Sequence, residues 1–264
     1  MRILCIGDIV GKPGRKAVQH LLGPYVREQG VDLVVANAEN VAGGSGLTGP
    51  LYQKLRRFGV DVVTLGDHVY RRREVYPLLA EEERIVRPAN LAPEAAGRTF
   101  TVIPTAAGPV AVFCLLGRLY MKPPADCPFH AADAVLAQLG PEVKVIVVDM
   151  HAEATSEKIA MGRYLAPRAS VVFGTHTHVT TADETILAGH TAYITDVGMT
   201  GPHDSVLGRD SRAVIAAMTS SMPHPFDVAE HDARLCGALV EIDSSSGAAL
   251  SIQRVRLDLP DGIE

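Results

Sequence analysis

What most constrains this chain is an alternation. Short runs rich in β-branched residues recur between amphipathic stretches, and most of the runs end in a residue able to bind a metal ion. Residues 2–6, 32–36 and 61–65 read as strands, and residues 14–29, 51–58 and 73–82 as the helices that follow them. Such a β-α-β-α opening requires right-handed crossovers and a parallel sheet. Residues 98–104 and 110–116 then read as two strands joined by the hairpin-like segment 105–109. A helix over 131–139, a strand over 143–148, a helix after Ala154 and strands over 170–173 and 192–195 follow. Residues 237–242 and 249–257 read as a last antiparallel pair, with Ser244-Ser245-Ser246-Gly247 as its turn. The pattern predicts an α/β fold of two mixed sheets packed face to face, with helices outside. No linker, repeat or low-complexity block divides residues 1–264, so one domain is expected, and the Pro/Gly-rich segment 199–208 reads as a surface connection.

In parallel sheets the carboxyl ends of the strands share one edge, and ligands bind outside it. Gly7-Asp8 follows the first strand, Asn37-Ala38-Glu39-Asn40 the second and Gly66-Asp67-His68 the third. Asp149-Met150-His151 and Gly174-Thr175-His176-Thr177-His178 follow two later ones. Five separated segments therefore bring Asp8, Glu39, Asn40, Asp67, His68, His151, His176 and His178 to one place. Each has a plainer reading alone. Asp8 could cap a helix, Glu39 could be a solvated loop acid, Asp149 could end a strand, and Asp67-His68 could be turn residues. Together they read as ligands for a divalent pair, because carboxylate oxygen and imidazole nitrogen suit iron(II), manganese or zinc. Glu39 is the candidate bridge. Two cations about 3.5–4 Å apart can clamp a phosphate and activate water.

Composition excludes other classes. The four cysteines lie far apart with no C-x-x-C pair, against a disulfide framework and for a reducing cytoplasm. The first apolar run is cut at Asp8, and no stretch reaches the roughly 18 apolar residues of a spanning helix, so no membrane role is expected. A net charge of -5 argues against a stable nucleic-acid complex. Gly43-Gly44-Ser45-Gly46-Leu47 fails the nucleophile-elbow pattern, and Gly7 to Pro13 has the wrong spacing for a P-loop. A homo-oligomer is left open.

The residues Gly7-Asp8, Glu39-Asn40, Gly66-Asp67-His68, His151 and Gly174 to His178 resemble the signature of the calcineurin-like metallophosphoesterases. Asn37 to Asn40, the run His151 to Lys158, and Asp196 to Pro202 are similar to its YmdB-like branch, over essentially the whole chain. The resemblance implies a four-layer α/β/β/α fold, two divalent ions with iron or manganese favoured over zinc or magnesium, and phosphodiesterase activity on 2',3'-cyclic nucleotides, a small phosphodiester substrate. It implies that Asp8, Glu39, Asn40 and His178 hold one ion, and Glu39, Asp67, His151 and His176 the other. A metal-bridging hydroxide would attack phosphorus, and His68 would protonate the leaving oxygen. Asn40, Thr155, Ser156 and Arg118 are candidate substrate contacts. For the 155–158 segment the plainer reading is a helix start with Glu157 and Lys158 solvated. A monoesterase or nuclease on the same ions, and a metal-binding regulatory protein with weak catalysis, are the alternatives.

Two departures bear on the chemistry. The wider superfamily begins D-x-H, whereas Asp8 is followed by Ile9 and Val10, so Asn40 would replace that histidine through its amide oxygen. Position 67 is Asp where the pattern has Asn. The third carboxylate should tighten cation binding and raise the pKa of bound water.

Overall fold

A computed structural model describes residues 1–260 and Gly262. The chain opens with β1 (Arg2–Ile6) and a continuous helical segment made of α1 (Gly11–Ala17), a π turn (Val18–Leu22) and α2 (Gly23–Gln29). Next come β2 (Leu33–Asn37), α3 (Gly49–Phe58), β3 (Val62–Thr64), α4 (Val75–Glu81) and β4 (Ile85–Val86). β5 (Phe100–Thr105) and β6 (Gly108–Leu116) form the expected hairpin, followed by α5 (Pro128–Leu136), β7 (Val145–His151), α6 (Thr155–Leu165) and β8 (Val171–Thr175). The last elements are β9 (Thr185–Leu187), β10 (Thr191–Ile194), β11 (Gly201–Pro202), α7 (Ser211–Ser220), β12 (Ala233–Ile242) and β13 (Ala249–Asp258).

Among the described residues the strands make two mixed sheets. One runs β11-β12-β1-β2-β3-β4, with β13 also paired to β12; the other runs β5-β6-β7-β8-β10-β9. β1 to β4 are parallel, as are β6, β7, β8 and β10, so both sheets have a shared carboxyl edge. β12 is antiparallel to β1, and β5 and β9 are antiparallel edges of the second sheet.

The strand period of two assigns each residue to a layer. Ile3, Cys5, Leu33, Val35 and Val62 face Val110, Val112, Val145, Val147, Val171 and Phe173 across the space between the sheets. Their neighbours Leu4, Ile6, Val34 and Ala36 face the helical residues Ala17, Leu22, Tyr52 and Leu55. Phe113, Ile146, Val148 and Val172 pack on α5 and α6. The result is the expected four-layer α/β/β/α sandwich.

Several boundaries differ from the reading. The first helix begins at Gly11, three residues early, and its N-cap is Val10, so Asp8 is not a helix cap. β7 and β8 continue through His151 and Thr175, so Asp149 lies inside a strand. The 199–208 segment is not wholly a surface connection: Met199, Thr200, Gly201 and Pro202 are buried, because β11 extends the sheet along β12 beyond the end of β1. Among the described residues no helix is long and apolar enough to cross a membrane.

Candidate metal centre

The shared carboxyl edges place all eight expected side chains together. Asp8 leaves β1, Glu39 and Asn40 leave β2, Asp67 and His68 follow β3, His151 ends β7, and His176 and His178 follow β8. Asp8, Glu39, Asn40 and His151 are at most 4% exposed. Gly66 is required for this approach, because a Cβ there would overlap the His151 ring and the Glu39 carboxylate.

Two groups share Glu39. Single donor atoms of Glu39, Asp67, His151 and His176 all lie within 4.8 Å of one another. His151 Nε2 is 3.3 Å from Glu39 Oε1 and 3.1 Å from Asp67 Oδ1; His176 Nδ1 is 3.3 Å from Asp67 Oδ1. In the other group His178 Nε2 is 3.7 Å from Asp8 Oδ1, and the Asn40 amide nitrogen is 3.4 Å from Asp8, 3.3 Å from Glu39 and 3.4 Å from His178. The Asn40 oxygen accepts from His68 Nδ1 at 2.7 Å, opposite to the amide orientation expected from the sequence. The reason is local: the Asp8 and Glu39 carboxylates accept only and draw the amide nitrogen.

Each imidazole is oriented by its other nitrogen, as metal-binding histidines are. His178 Nδ1 donates to Leu207 O at 3.0 Å, and His176 Nε2 sits 3.3 Å from Glu153 Oε2. His176 and His178 have φ of 92° and 66°, uncommon for residues with a Cβ. The surroundings impose this turn. The His176 N–H donates to Asp8, and both the amide and hydroxyl of the intervening Thr177 donate to Asp196. Asp196 also accepts from Lys158 Nζ at 2.7 Å. Lys158 is therefore buried in an ion pair that anchors the histidine turn, not solvated as expected.

The charges stabilise one another. Burial disfavours ionised Asp8, yet His178 and His151 outweigh it and hold the carboxyl well below its usual range. Glu39 and Asp67 are also lowered, burial being outweighed by His151 and its neighbours. Burial opposes charge on His68, His151 and His178, but Glu39 raises the first two and Asp8 the third. At Asp149 burial outweighs the help of His151, Thr175 and Thr64 and pushes the carboxyl up to about 6. The histidine contribution to stability is fully present below about pH 6.5, the unfolded value, and is lost as pH rises through the raised folded values. Protein stripped of ions should therefore melt several degrees lower at pH 9 than at pH 6.5, at about 2–4 °C per kcal/mol. Scanning fluorimetry checks this; a melting temperature that rises over the interval contradicts it.

Carboxylate, imidazole and amide donors with no thiolate fit a pair of divalent cations. The other expected contacts are peripheral. Thr155 and Ser156 lie exposed in the first turn of α6, and Arg118 is exposed on the loop after β6. That loop adjoins the centre: Gly117 N–H donates to His151 O, and the Arg118 and Leu119 amides donate to Glu157. A cleft of about 780 Å³ opens beside His178, lined also by Thr180, His203, Arg234 and Arg256. Sequence reasoning missed Glu153, Asn37, Thr64 and Thr175. Only the strand period, carried one step past each apolar run, would have found the last three.

The sequence profile described as YmdB-like protein matches residues 4–255. The chain is 41% identical to the 2',3'-cyclic-nucleotide 2'-phosphodiesterase of Bacillus subtilis, over 98% of this chain and 97% of that one. A crystal structure of a hypothetical protein from Thermus thermophilus superimposes with a TM-score of 0.92 at 40% identity, covering 98% and 100% of the two chains. Another, described as a novel phosphatase from Mycoplasma pneumoniae, gives 0.92 at 30% identity, covering 98% and 93%.

Proposed function

The chain belongs to the YmdB-like family, and from that premise we propose that it is a metal-dependent phosphodiesterase hydrolysing 2',3'-cyclic nucleotides. The observation that carries this reading is the convergence of three carboxylates, one amide and four imidazoles at a single edge. Asp8, Glu39, Asn40 and His178 would hold one ion, with the Asn40 oxygen turned toward it; Glu39, Asp67, His151 and His176 would hold the other. Iron or manganese suits the oxygen-nitrogen donor set. When bound, such a pair neutralises phosphate charge and lowers the pKa of water from 15.7 toward about 7.

The chain's own residues supply the rest. Asp8, Glu39 and Asp67 would present three carboxylate charges to the ions. His68 stands over the shared carboxylate, its Nδ1 3.3 Å from Glu39 Oε1 and its Nε2 3.6 Å from Asp67 Oδ2. With no ion bound those acids raise its affinity for a proton, and its Nδ1 donates to the Asn40 oxygen at 2.7 Å, which leaves Nε2 to face the substrate side. It is thus suited to give a proton to the ribose oxygen that departs when the cyclic ester opens. A reducing cytoplasm is part of the reading, and the four free thiols, three of them buried, support it.

Parallel assays on a 2',3'-cyclic nucleotide, a linear dinucleotide and a phosphomonoester test the reading. The cyclic diester should be cleaved fastest. Preference for the monoester or the linear chain would overturn the substrate assignment, and no cleavage of any of the three would overturn the enzyme. Asp67→Asn should weaken cation retention roughly tenfold and raise turnover, because one fewer negative charge leaves the ions more Lewis acidic. Metal titration and kcat at pH 8–9 check this; faster turnover with Asp67 contradicts it.

A further inference from the structure

The space between the sheets does not stay apolar to its end. Along each strand the same face that carries Leu33 and Val35, Val62, Val145 and Val147, or Val171 and Phe173 goes on to carry Asn37, Thr64, Asp149 or Thr175. All four of these polar residues are 0% exposed. They form one directed network. Thr64 Oγ1 donates to Asp149 Oδ2 at 2.5 Å, and the Asn37 amide donates to the same oxygen at 3.2 Å. Thr175 Oγ1 donates to Asp149 Oδ1 at 2.6 Å and lies 2.8 Å from His151 Nδ1. The Asn37 oxygen is occupied by the Glu39 amide at 3.1 Å, which fixes which way the Asn37 side chain points.

We propose that Asp149, acting through Thr175, is the positioning residue that locks His151 in the tautomer able to bind a metal ion. A hydroxyl has one hydrogen. That of Thr175 is committed to the carboxylate, which accepts only. Thr175 therefore offers His151 a lone pair at 2.8 Å, closer than the Asn37 amide nitrogen, which is 3.2 Å from the same Nδ1 and already donates to Asp149, so the shorter contact places the proton of the neutral ring on Nδ1. Nε2 is left with its lone pair, and it is Nε2 that faces Glu39, Asp67 and His176. Metal-bound histidines usually donate directly to a carboxylate or carbonyl; here a hydroxyl passes the polarity on, one residue removed. The inference rests on the metal centre proposed above.

Asp149→Asn turns the relay against itself. With its amide nitrogen at the Oδ1 position, the new side chain donates to Thr175, whose hydrogen swings to His151 Nδ1 and puts the ring proton on Nε2. With the nitrogen at the Oδ2 position, it meets the Asn37 amide, donor against donor. Titration of chelator-stripped protein with Mn²⁺, followed by calorimetry, tests this. The unaltered protein should bind two equivalents. Asp149→Asn and Thr175→Val should each weaken one of them roughly 10–100-fold and leave the other unchanged, while Thr175→Ser, which keeps the hydroxyl, should bind both as the unaltered protein does. Folding of each variant is read from its circular dichroism; the Thr175→Val and Thr175→Ser pair decides the matter if Asp149→Asn does not fold. Full two-site affinity in folded Thr175→Val, or loss in Thr175→Ser equal to that in Thr175→Val, would overturn the relay. Failure of the unaltered protein to bind Mn²⁺ would overturn the metal centre itself.

Discussion

Glu39→Gln is expected to abolish retention of both ions and to lower diester hydrolysis by at least about 10³-fold. The size follows from what the cations do: several kcal/mol of charge stabilisation on phosphate, at 1.36 kcal/mol per tenfold in rate. The reason for choosing Glu39 is its position between the two ligand groups. Oε1 lies 3.3 Å from His68 Nδ1, His151 Nε2 and the Asn40 amide, and Oε2 accepts the His68 amide at 2.9 Å. An amide in its place keeps the shape and removes the charge, so a folded protein without metal is the outcome to look for. Elemental analysis and hydrolysis of bis-p-nitrophenyl phosphate check it. Two retained ions would exclude Glu39 as the bridge.

The second large effect should depend on the leaving group. His68→Ala is expected to slow a cyclic nucleotide by roughly 10²–10⁴-fold, the usual worth of a general acid. The same variant should lose far less on bis-p-nitrophenyl phosphate, whose p-nitrophenolate leaves without a proton. This contrast separates proton donation from a purely structural part, since His68 also holds the Asn40 oxygen at 2.7 Å and its loss could loosen that ligand. Equal losses on both substrates, or full rate on the cyclic diester with both ions present, would exclude the acid role.

The sequence exposed the layers and the ligands for one reason. Alternation with period two identifies strands such as Leu33–Asn37 and Val145–His151, and parallel connection puts the carboxyl ends of such strands together, so Asp8 and His176, 168 positions apart, can be assigned to one site. Short pairings escape this logic. β4 and β11 are two residues each and exist only because a neighbouring strand offers an edge. α7 was legible but unread: Asp210 accepts from the amides of Arg212 and Ala213, a capping signal present in the sequence. Lys158 was misread because its partner Asp196 lies 38 residues away on another strand end, and a charged residue without a visible partner reads as solvated. The orienting residues Asn37, Thr64, Asp149 and Thr175 look like strand ends singly; only their arrival in the same slot gives them a role.

Activity is predicted to depend on two cations held by seven side chains, with His68 beside them. Elemental analysis of the protein purified without chelator, repeated after stripping and reconstitution with Mn²⁺, measures this most directly. Two equivalents of transition metal per chain, lost together with diesterase activity on chelation and restored with it, is the predicted result. A chain that cleaves the cyclic diester equally well with no bound metal would contradict it.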